Sequence, residues 1–222
     1  GTTSVSTSAF LNITAVNDVP DVSDAITGAT DDTGAIFTVD LLSGATDADT
    51  GDTLTITGLT SSGDTTGITL NTDNTLSVDP SAYASLGASD SEVITYSYTV
   101  TDGNGGTVAQ TATVTITGTD DAPVVSGDVT GAVTEDTDGS GQTAHGALSI
   151  TDVDNSSAAF HPETVAGDFG SVVIDATGAW AYTVDNGLAA VQSLGEGATL
   201  SDTVAVQTTD GTTQSLTITI TG

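Results

Sequence analysis

The sequence predicts an all-β chain built as two Greek-key β-sandwiches in tandem. Three observations carry this prediction. β-Branched and aromatic residues alternate with Thr or Ser in repeated short runs, the period of a strand with one buried face. Gly-, Asp- and Asn-rich segments such as Asp102-Gly-Asn-Gly-Gly106 separate the runs, and these residues tolerate the positive φ of tight turns. The same order of motifs returns after roughly 100 residues, the size of one sandwich module.

The elements follow in chain order. Residues 1–15 contain Phe10-Leu-Asn-Ile-Thr14 and read as the last strand of a preceding repeat. The first complete module spans 16–118, with strands at Thr53-Leu-Thr-Ile-Thr57, Val93–Val100 and Thr111–Thr117. The second spans 119–222 and closes on Ser215-Leu-Thr-Ile-Thr-Ile-Thr221. Ile13-Thr-Ala-Val-Asn-Asp-Val-Pro20 lines up with Ile116-Thr-Gly-Thr-Asp-Asp-Ala-Pro123, and Ile220-Thr-Gly222 returns to the same register. Within the modules Thr30-Asp-Asp-Thr33 matches Thr134-Glu-Asp-Thr137, and Thr46-Asp-Ala-Asp49 matches Thr151-Asp-Val-Asp154. Ser85-Leu-Gly87 matches Ser193-Leu-Gly195, and Thr101-Asp-Gly103 matches Thr209-Asp-Gly211. Helical periodicity never exceeds a turn or two, at Tyr83–Leu86 and Leu188–Leu194. Phe37, Tyr96, Tyr98, Phe160, Phe169, Trp180 and Tyr182 occupy alternating positions suited to a core, and Trp180-Ala-Tyr182 places two rings on one strand face.

Charge excludes several functions. The 222 residues contain no Lys or Arg and 30 acids, a formal charge of −30. Nucleic acid and anionic membranes are bound by Lys and Arg that displace counterions, so neither is an expected partner. A lysine Schiff base, a P-loop lysine and an arginine finger are unavailable. With no Cys there is no disulfide framework, thiolate metal site or cysteine nucleophile. No run approaches the ~18 apolar residues of a membrane span, so direct insertion is not expected. A sequence with no Met anywhere, position 1 included, is expected to be a segment of a longer protein.

The acids are patterned. Asp-x-Asp recurs at 47/49 and 152/154, an Asn-Asp or Asp-Asp pair precedes each Val-Pro or Ala-Pro, and Asp-Gly recurs at 102/103 and 210/211. Clustered carboxylates repel or raise one another's pKa unless a cation sits between them. Short Asp side chains on turns, together with backbone carbonyls, can supply the six to eight oxygens that calcium takes.

These motifs carry a resemblance. Ala45-Thr-Asp-Ala-Asp-Thr-Gly-Asp52, Asp102-Gly-Asn-Gly and Val16-Asn-Asp-Val-Pro20 resemble the calcium motifs of cadherin-type repeats, above all those of giant bacterial surface adhesins of the RTX class. The second module is similar to the VCBS repeat of the same proteins through Val133-Thr-Glu-Asp-Thr137, Leu148-Ser-Ile-Thr-Asp-Val-Asp154, Phe169-Gly-Ser and Gly178-Ala-Trp-Ala-Tyr-Thr-Val-Asp-Asn186. The resemblance implies Ca2+ ligands at three junctions. An N-terminal junction would use Asn17, Asp18, Asp47, Asp49 and Asp102. The central one would use Asp120, Asp121, Asp152, Asp154 and Asp210, with Asp31 or Asp32 and Asp79 from upstream. Glu135 or Asp136, with Asp185, would serve a junction beyond Gly222. Val78-Asp79 is similar to the start of the cadherin Leu-Asp-Arg-Glu motif, but Pro80 and Ser81 replace its Arg and Glu. The glycine-rich calcium nonapeptide that gives the RTX class its name is not present.

The function so implied is a calcium-rigidified spacer of a bacterial surface adhesin, supporting adhesion or biofilm formation. It would be a monomeric extracellular rod whose partners are the neighbouring repeats of its own chain. The alternative is a ligand module, because Thr makes up about a fifth of the chain and Thr-x-Thr rows can offer hydroxyls to carbohydrate or ice. No catalytic residue is assigned. His161-Pro-Glu163 is the one place where an imidazole neighbours a carboxylate, and no nucleophile or metalloprotease motif accompanies it.

Overall fold

The computed structural model describes residues 1, 3–4, 16–135 and 142–222. Phe10–Thr14 and Asp136 lie outside the described residues. Contacts divide the chain into two compact units, residues 1–83 with 90–117 and residues 84–89 with 118–222. Both are all-β, as the alternating runs predict.

The first unit holds β1 (Ile26–Asp31), β2 (Phe37–Asp40), β3 (Thr55–Ser62), β4 (Ile68–Leu70), β5 (Thr75–Val78), β6 (Ser91–Thr101) and β7 (Thr107–Thr117). One sheet has the order β1-β7-β6-β3 and the other β2-β5-β4. Along β6 the inward residues Ile94, Tyr96, Tyr98 and Val100 are buried, and Ala112, Val114 and Ile116 of β7 are buried beside them. The second sheet contributes Val39, Leu76 and Val78. The Tyr98 hydroxyl donates to the Leu41 carbonyl at 2.7 Å, satisfying its polar end inside the core. Its pKa is pushed up to about 12 by burial and, secondarily, by Asp40. The predicted strand at 53–57 starts at Thr55 and runs on to Ser62, with a register shift between Thr57 and Thr60 where Gly58 takes φ +66°.

The second unit holds β8 (Val124–Gly127), β9 (Thr130–Thr134), β10 (Thr143–Thr151), β11 (Glu163–Ala166), β12 (Gly170–Ile174), β13 (Ala179–Val184), β14 (Thr199–Gln207) and β15 (Thr213–Thr221). Its sheets run β11-β12-β13-β10-β8 and β14-β15-β9. Leu148, Phe160, Val172, Ile174, Trp180 and Tyr182 pack against Val204, Val206, Leu216, Ile218 and Ile220 in one core. Trp180 and Tyr182 are therefore core rings, and the Trp180 indole N–H donates to the Asp128 carbonyl at 2.9 Å. The outward face of β14 and β15 pairs Thr199 with Thr221, Ser201 with Thr219 and Thr203 with Thr217. Threonine here is the polar strand former of a chain without lysine.

Among the described residues the helical elements are a 3-10 turn at Pro80–Tyr83 and one turn, α1, at Ala189–Gln192. No described helix is long and apolar enough to cross a membrane.

The first strands of each unit position the acids. In the second unit β8 pairs with β10, placing Val124 opposite Thr151, and the chain then crosses to the other sheet so that β9 runs parallel to β15. Gly127 (φ +111°) permits that crossing, since a Cβ there would sit 2.4 Å from the Ala147 carbonyl oxygen. In the first unit the corresponding contact is the bridge between Asp21 and Thr46, with N–H···O distances of 2.8 and 2.9 Å, before β1 runs parallel to β7. Either way, the residues just before the first strand lie beside the Asp-x-Asp loop.

Candidate metal centre

At the start of the first unit, the Asp21–Thr46 bridge brings Asn17 and Asp18 against the loop 47–52. The Asp18 backbone N–H donates to Asp49 Oδ2 at 2.6 Å, and the Asp49 N–H donates to Asp47 Oδ1 at 2.8 Å. Asp47, Asp49 and Asp52 each offer a carboxylate oxygen within 4.8 Å of the others. Two oxygens bound to one calcium at 2.3–2.6 Å can be at most roughly 5 Å apart, so this trio fits a single ion.

The turn between β6 and β7 closes the same corner. Asp102 is 3 % exposed, and its Oδ1 accepts the N–H groups of Asn104, Gly105 and Gly106 at 2.7, 3.0 and 3.0 Å. Its Oδ2 accepts the Asn17 side-chain amide at 2.8 Å. The Asn17 amide, followed by those backbone donors, holds the Asp102 carboxyl below the usual carboxylate range. Asn104 in turn donates its side-chain amide to Asp52 Oδ1 at 2.9 Å. Two of the five acidic or amide residues expected here, Asn17 and Asp102, are thus joined by hydrogen bonds to Asp52 and Asn104, which were not expected. Asp49 is joined to Asp18 and Asp47.

The second unit repeats the linker contact. The Asp121 N–H donates to Asp154 Oδ2 at 3.2 Å, the counterpart of Asp18 on Asp49. The neighbouring Asp154 carboxyl pushes the Asp152 carboxyl up, while Asp152 first and the Asp121 N–H second hold Asp154 down. Asp120 is exposed. Asp210 is also exposed at the tip of the β14–β15 turn, where its carboxylate accepts the hydroxyls of Thr208 and Thr212 and the Thr212 N–H.

The remaining expected ligands lie at the opposite end of each unit. Asp32 is buried, and its N–H donates to the Thr117 carbonyl at 3.0 Å. Glu135 is buried with its N–H on Thr221 at 2.9 Å. These identical ladder positions make Asp32 the counterpart of Glu135, whereas the sequence match aligned Asp31 with Glu135. Asp31 is exposed and accepts the Thr33 hydroxyl at 3.0 Å. Asp79 follows Val78, whose ladder partner is Phe37, at the Asp32 end of the unit. Its Oδ1 caps the 3-10 turn through the Ser81 N–H and hydroxyl at 3.2 and 2.7 Å. Asp185 is exposed and accepts the Gly187 N–H at 2.9 Å.

The donor set fits a hard cation. Oδ2 of Asp47 and Asp52, Oδ1 of Asp152 and Asp154 and Oε2 of Glu135 are buried without a hydrogen-bond partner. A buried carboxylate oxygen left without a donor is costly, and no Lys or Arg exists in the chain to approach it. All-oxygen ligation on short Asp side chains matches calcium better than a metal seeking nitrogen or sulfur.

Comparison with known families agrees with this architecture. Residues 16–117 match the cadherin-like domain model, and residues 120–222 match the bacterial cadherin-like domain model. The chain consists of two cadherin-like domains in tandem. Similar solved structures include the human desmocollin-1 ectodomain, at 15% identity over 91% of this chain and 41% of that one, with a TM-score of 0.37. Protocadherin gamma B2 extracellular cadherin domains 3-6 give 12% identity over 90% and 46%, with a TM-score of 0.44. The protocadherin gammaB7 EC3-6 cis-dimer structure gives 14% over 90% and 45%, with a TM-score of 0.43. The tandem spans less than half the length of each of these three chains. No curated protein matches the sequence.

Close approach at Gly106 supplies a test of the first cadherin-like site. A Cβ there would overlap Asp102 Oδ2, well inside van der Waals contact, and meet the Asp18 carbonyl and Val19 Cα at 3.0 Å each. Gly106→Ala is expected to displace Asp102 and weaken calcium binding about tenfold, the scale of losing a supporting contact around a metal site. Isothermal titration calorimetry measures it, with circular dichroism confirming the fold.

Proposed function

We propose that this chain is a calcium-stiffened spacer of a bacterial cell-surface adhesin, holding an adhesive tip away from the outer membrane. Cadherin-like domains are typically extracellular adhesion modules that bind calcium. The observation that carries the proposal is the repeated bond from a residue before the first strand to an Asp-x-Asp carboxylate, Asp18 to Asp49 and Asp121 to Asp154.

Calcium bound there supplies the divalent charge and oxygen coordination that a chain without basic residues cannot supply itself. Asp47, Asp49 and Asp52 would hold it in the first domain, and Asp152 and Asp154 in the second. Asp18 and Asp121 tie backbone that leads into each domain to the same carboxylates. Ordering those residues restrains the linker, whereas without the ion the carboxylates repel and the linker acts as a hinge. Bound ions also stabilise the native state by mass action.

The test is small-angle scattering and thermal melting of the chain in calcium and then in chelator. The expected result is a longer, narrower distribution of dimensions and a higher melting temperature in calcium. Unchanged dimensions and melting temperature would end the proposal.

A further inference from the structure

The ladders place Thr208, and not Asp210, at the position of Asp102. In the first domain Thr101 pairs with Thr107, and the Asp102 N–H donates to the Gly106 carbonyl at 3.3 Å. In the second, Gln207 pairs with Thr213, and the Thr208 N–H donates to the Thr212 carbonyl at 2.9 Å. The turns 102–106 and 208–212 therefore correspond residue for residue, with Asp102 at Thr208 and Asn104 at Asp210. Asp102 and Thr208 are each 3 % exposed, so the match extends to burial.

The chemistry at that buried position differs. In the first domain it is a carboxylate, fixed by three backbone N–H groups and by Asn17. In the second it is a hydroxyl, which donates to Asp210. The Asp210 carboxylate also takes the N–H and hydroxyl of Thr212 at 3.0 and 3.2 Å, so it is engaged at the exposed tip of its own turn. The loops differ in the same sense. Asp52 completes the trio of the first domain, while the residues after Asp154 are Asn155 and Ser156, and Ser157 donates its N–H and hydroxyl to Asn155 Oδ1 at 3.1 and 2.8 Å. The first site thus has Asp47, Asp49 and Asp52 with the buried Asp102 joined to Asp52 through Asn104, and the second has Asp152 and Asp154 with a neutral Thr208 at the turn position equivalent to Asp102.

We propose that the two domains bind calcium with unequal affinity, the first more tightly, and that the position shared by Asp102 and Thr208 sets the difference. This rests on the calcium reading above and deepens it. Calcium affinity in all-oxygen sites is tuned by the number of ligand charges and by the rigidity of the site. Asp102 adds one buried charge that is already fixed, and Thr208 removes it.

The experiment is calorimetric titration of the full chain with calcium, alongside Thr208→Asp, Asp102→Thr and Asp102→Asn. The asparagine variant keeps an acceptor for the three backbone donors and so preserves the turn if threonine does not. Circular dichroism checks folding. Two classes of sites are expected in the wild-type chain. Asp102→Thr and Asp102→Asn should weaken the tighter class by ~10–100-fold and leave the weaker one in place. Thr208→Asp should tighten the weaker class by ~10-fold or more. A single class of sites, or loss of the weaker class in the Asp102 variants, would overturn the inference while leaving the calcium reading intact. So would an unmoved weaker class in a folded Thr208→Asp. No calcium binding by the wild-type chain would overturn both.

Discussion

Asp49→Ala abolishes the calcium-dependent stabilisation of the first domain and leaves its stability in chelator unchanged or slightly raised. The sign reversal follows from what Asp49 does. Its Oδ2 accepts the Asp18 N–H at 2.6 Å, its own N–H holds Asp47, and its carboxylate lies within 4.8 Å of those of Asp47 and Asp52. Like charges at that separation repel by about 3 kcal/mol per pair at the effective dielectric of a protein surface, less with salt. Without an ion, alanine relieves that repulsion. With calcium at a hundred times its dissociation constant, the wild-type site gains about 2.7 kcal/mol by mass action. For a domain of this size that is a rise of ~10–20 °C in melting temperature. The variant should lose this rise, with affinity reduced ~100-fold, at the top of what removal of a mere outer partner costs. Scanning calorimetry in calcium and in chelator measures it, and the single tryptophan, Trp180, assigns the transition of the second domain by its emission. Equal losses in both buffers would mean that Asp49 is structural and not a ligand.

The sandwich fold was legible because its signals are local. Alternation along 93–100 and 111–117 became β6 and β7, the Trp180-Ala-Tyr182 spacing became two buried rings, and the turn expected at Leu188–Leu194 became α1, whereas the one expected at Tyr83–Leu86 lies a turn earlier, at Pro80–Tyr83. The Asp-x-Asp loops and the linker pairs were legible because they recur at matched spacing. What escaped depends on strand register, which non-local hydrogen bonds decide. Matching Asp-Gly dipeptides aligned Asp102 with Asp210, but the dipeptide opens one five-residue turn and sits in the middle of the other. The ladder aligns the turns by their ends, so Thr208 takes the buried place. A slip of one residue likewise set Asp31 against Glu135 where the parallel pairings match Asp32 with Glu135. Asp52 and Asn104 lay inside quoted motifs, yet only the bond between them, across two loops, reveals their part.

Asp202→Ala should unfold the second domain at a temperature ~16–32 °C lower, a larger loss than any surface acid could cause. Asp202 stands in phase with Leu200, Val204 and Val206, and it is 1 % exposed, on the inward face of β14. Its Oδ1 accepts the Asp168 N–H at 2.9 Å, and its Oδ2 accepts the Phe169 N–H at 2.9 Å and the Tyr182 hydroxyl at 2.8 Å. Three buried donors thus converge on one carboxylate, which ties the β11–β12 turn and β13 to the opposite sheet. The turn is shaped around it, since a Cβ on Gly167 would sit 2.4 Å from Asp202 Oδ2. Alanine would leave all three donors without an acceptor in the core. Each costs about 1–3 kcal/mol, so a total of about 4 kcal/mol is expected after relaxation. At 4–8 °C per kcal/mol this gives the stated shift. Asp202→Asn keeps one acceptor but turns an amide N–H toward a backbone N–H, and about half the loss is expected. Tyr182→Phe removes one donor together with its need and should cost least, about 1 kcal/mol. Burial first, and Asp202 second, push the Tyr182 phenol pKa upward. Its contribution is therefore complete below the ordinary phenol value of about 10 and is lost as pH rises beyond it, because the unfolded chain releases that proton first. Trp180 emission on heating reads every one of these changes in the domain concerned. Calcium should leave the ranking of the variants unaltered, since none of the three donors belongs to a site where it would bind. A melting temperature for Asp202→Ala within 5 °C of the wild type would mean that the three donors find other acceptors and that the carboxylate is not the tie between the sheets.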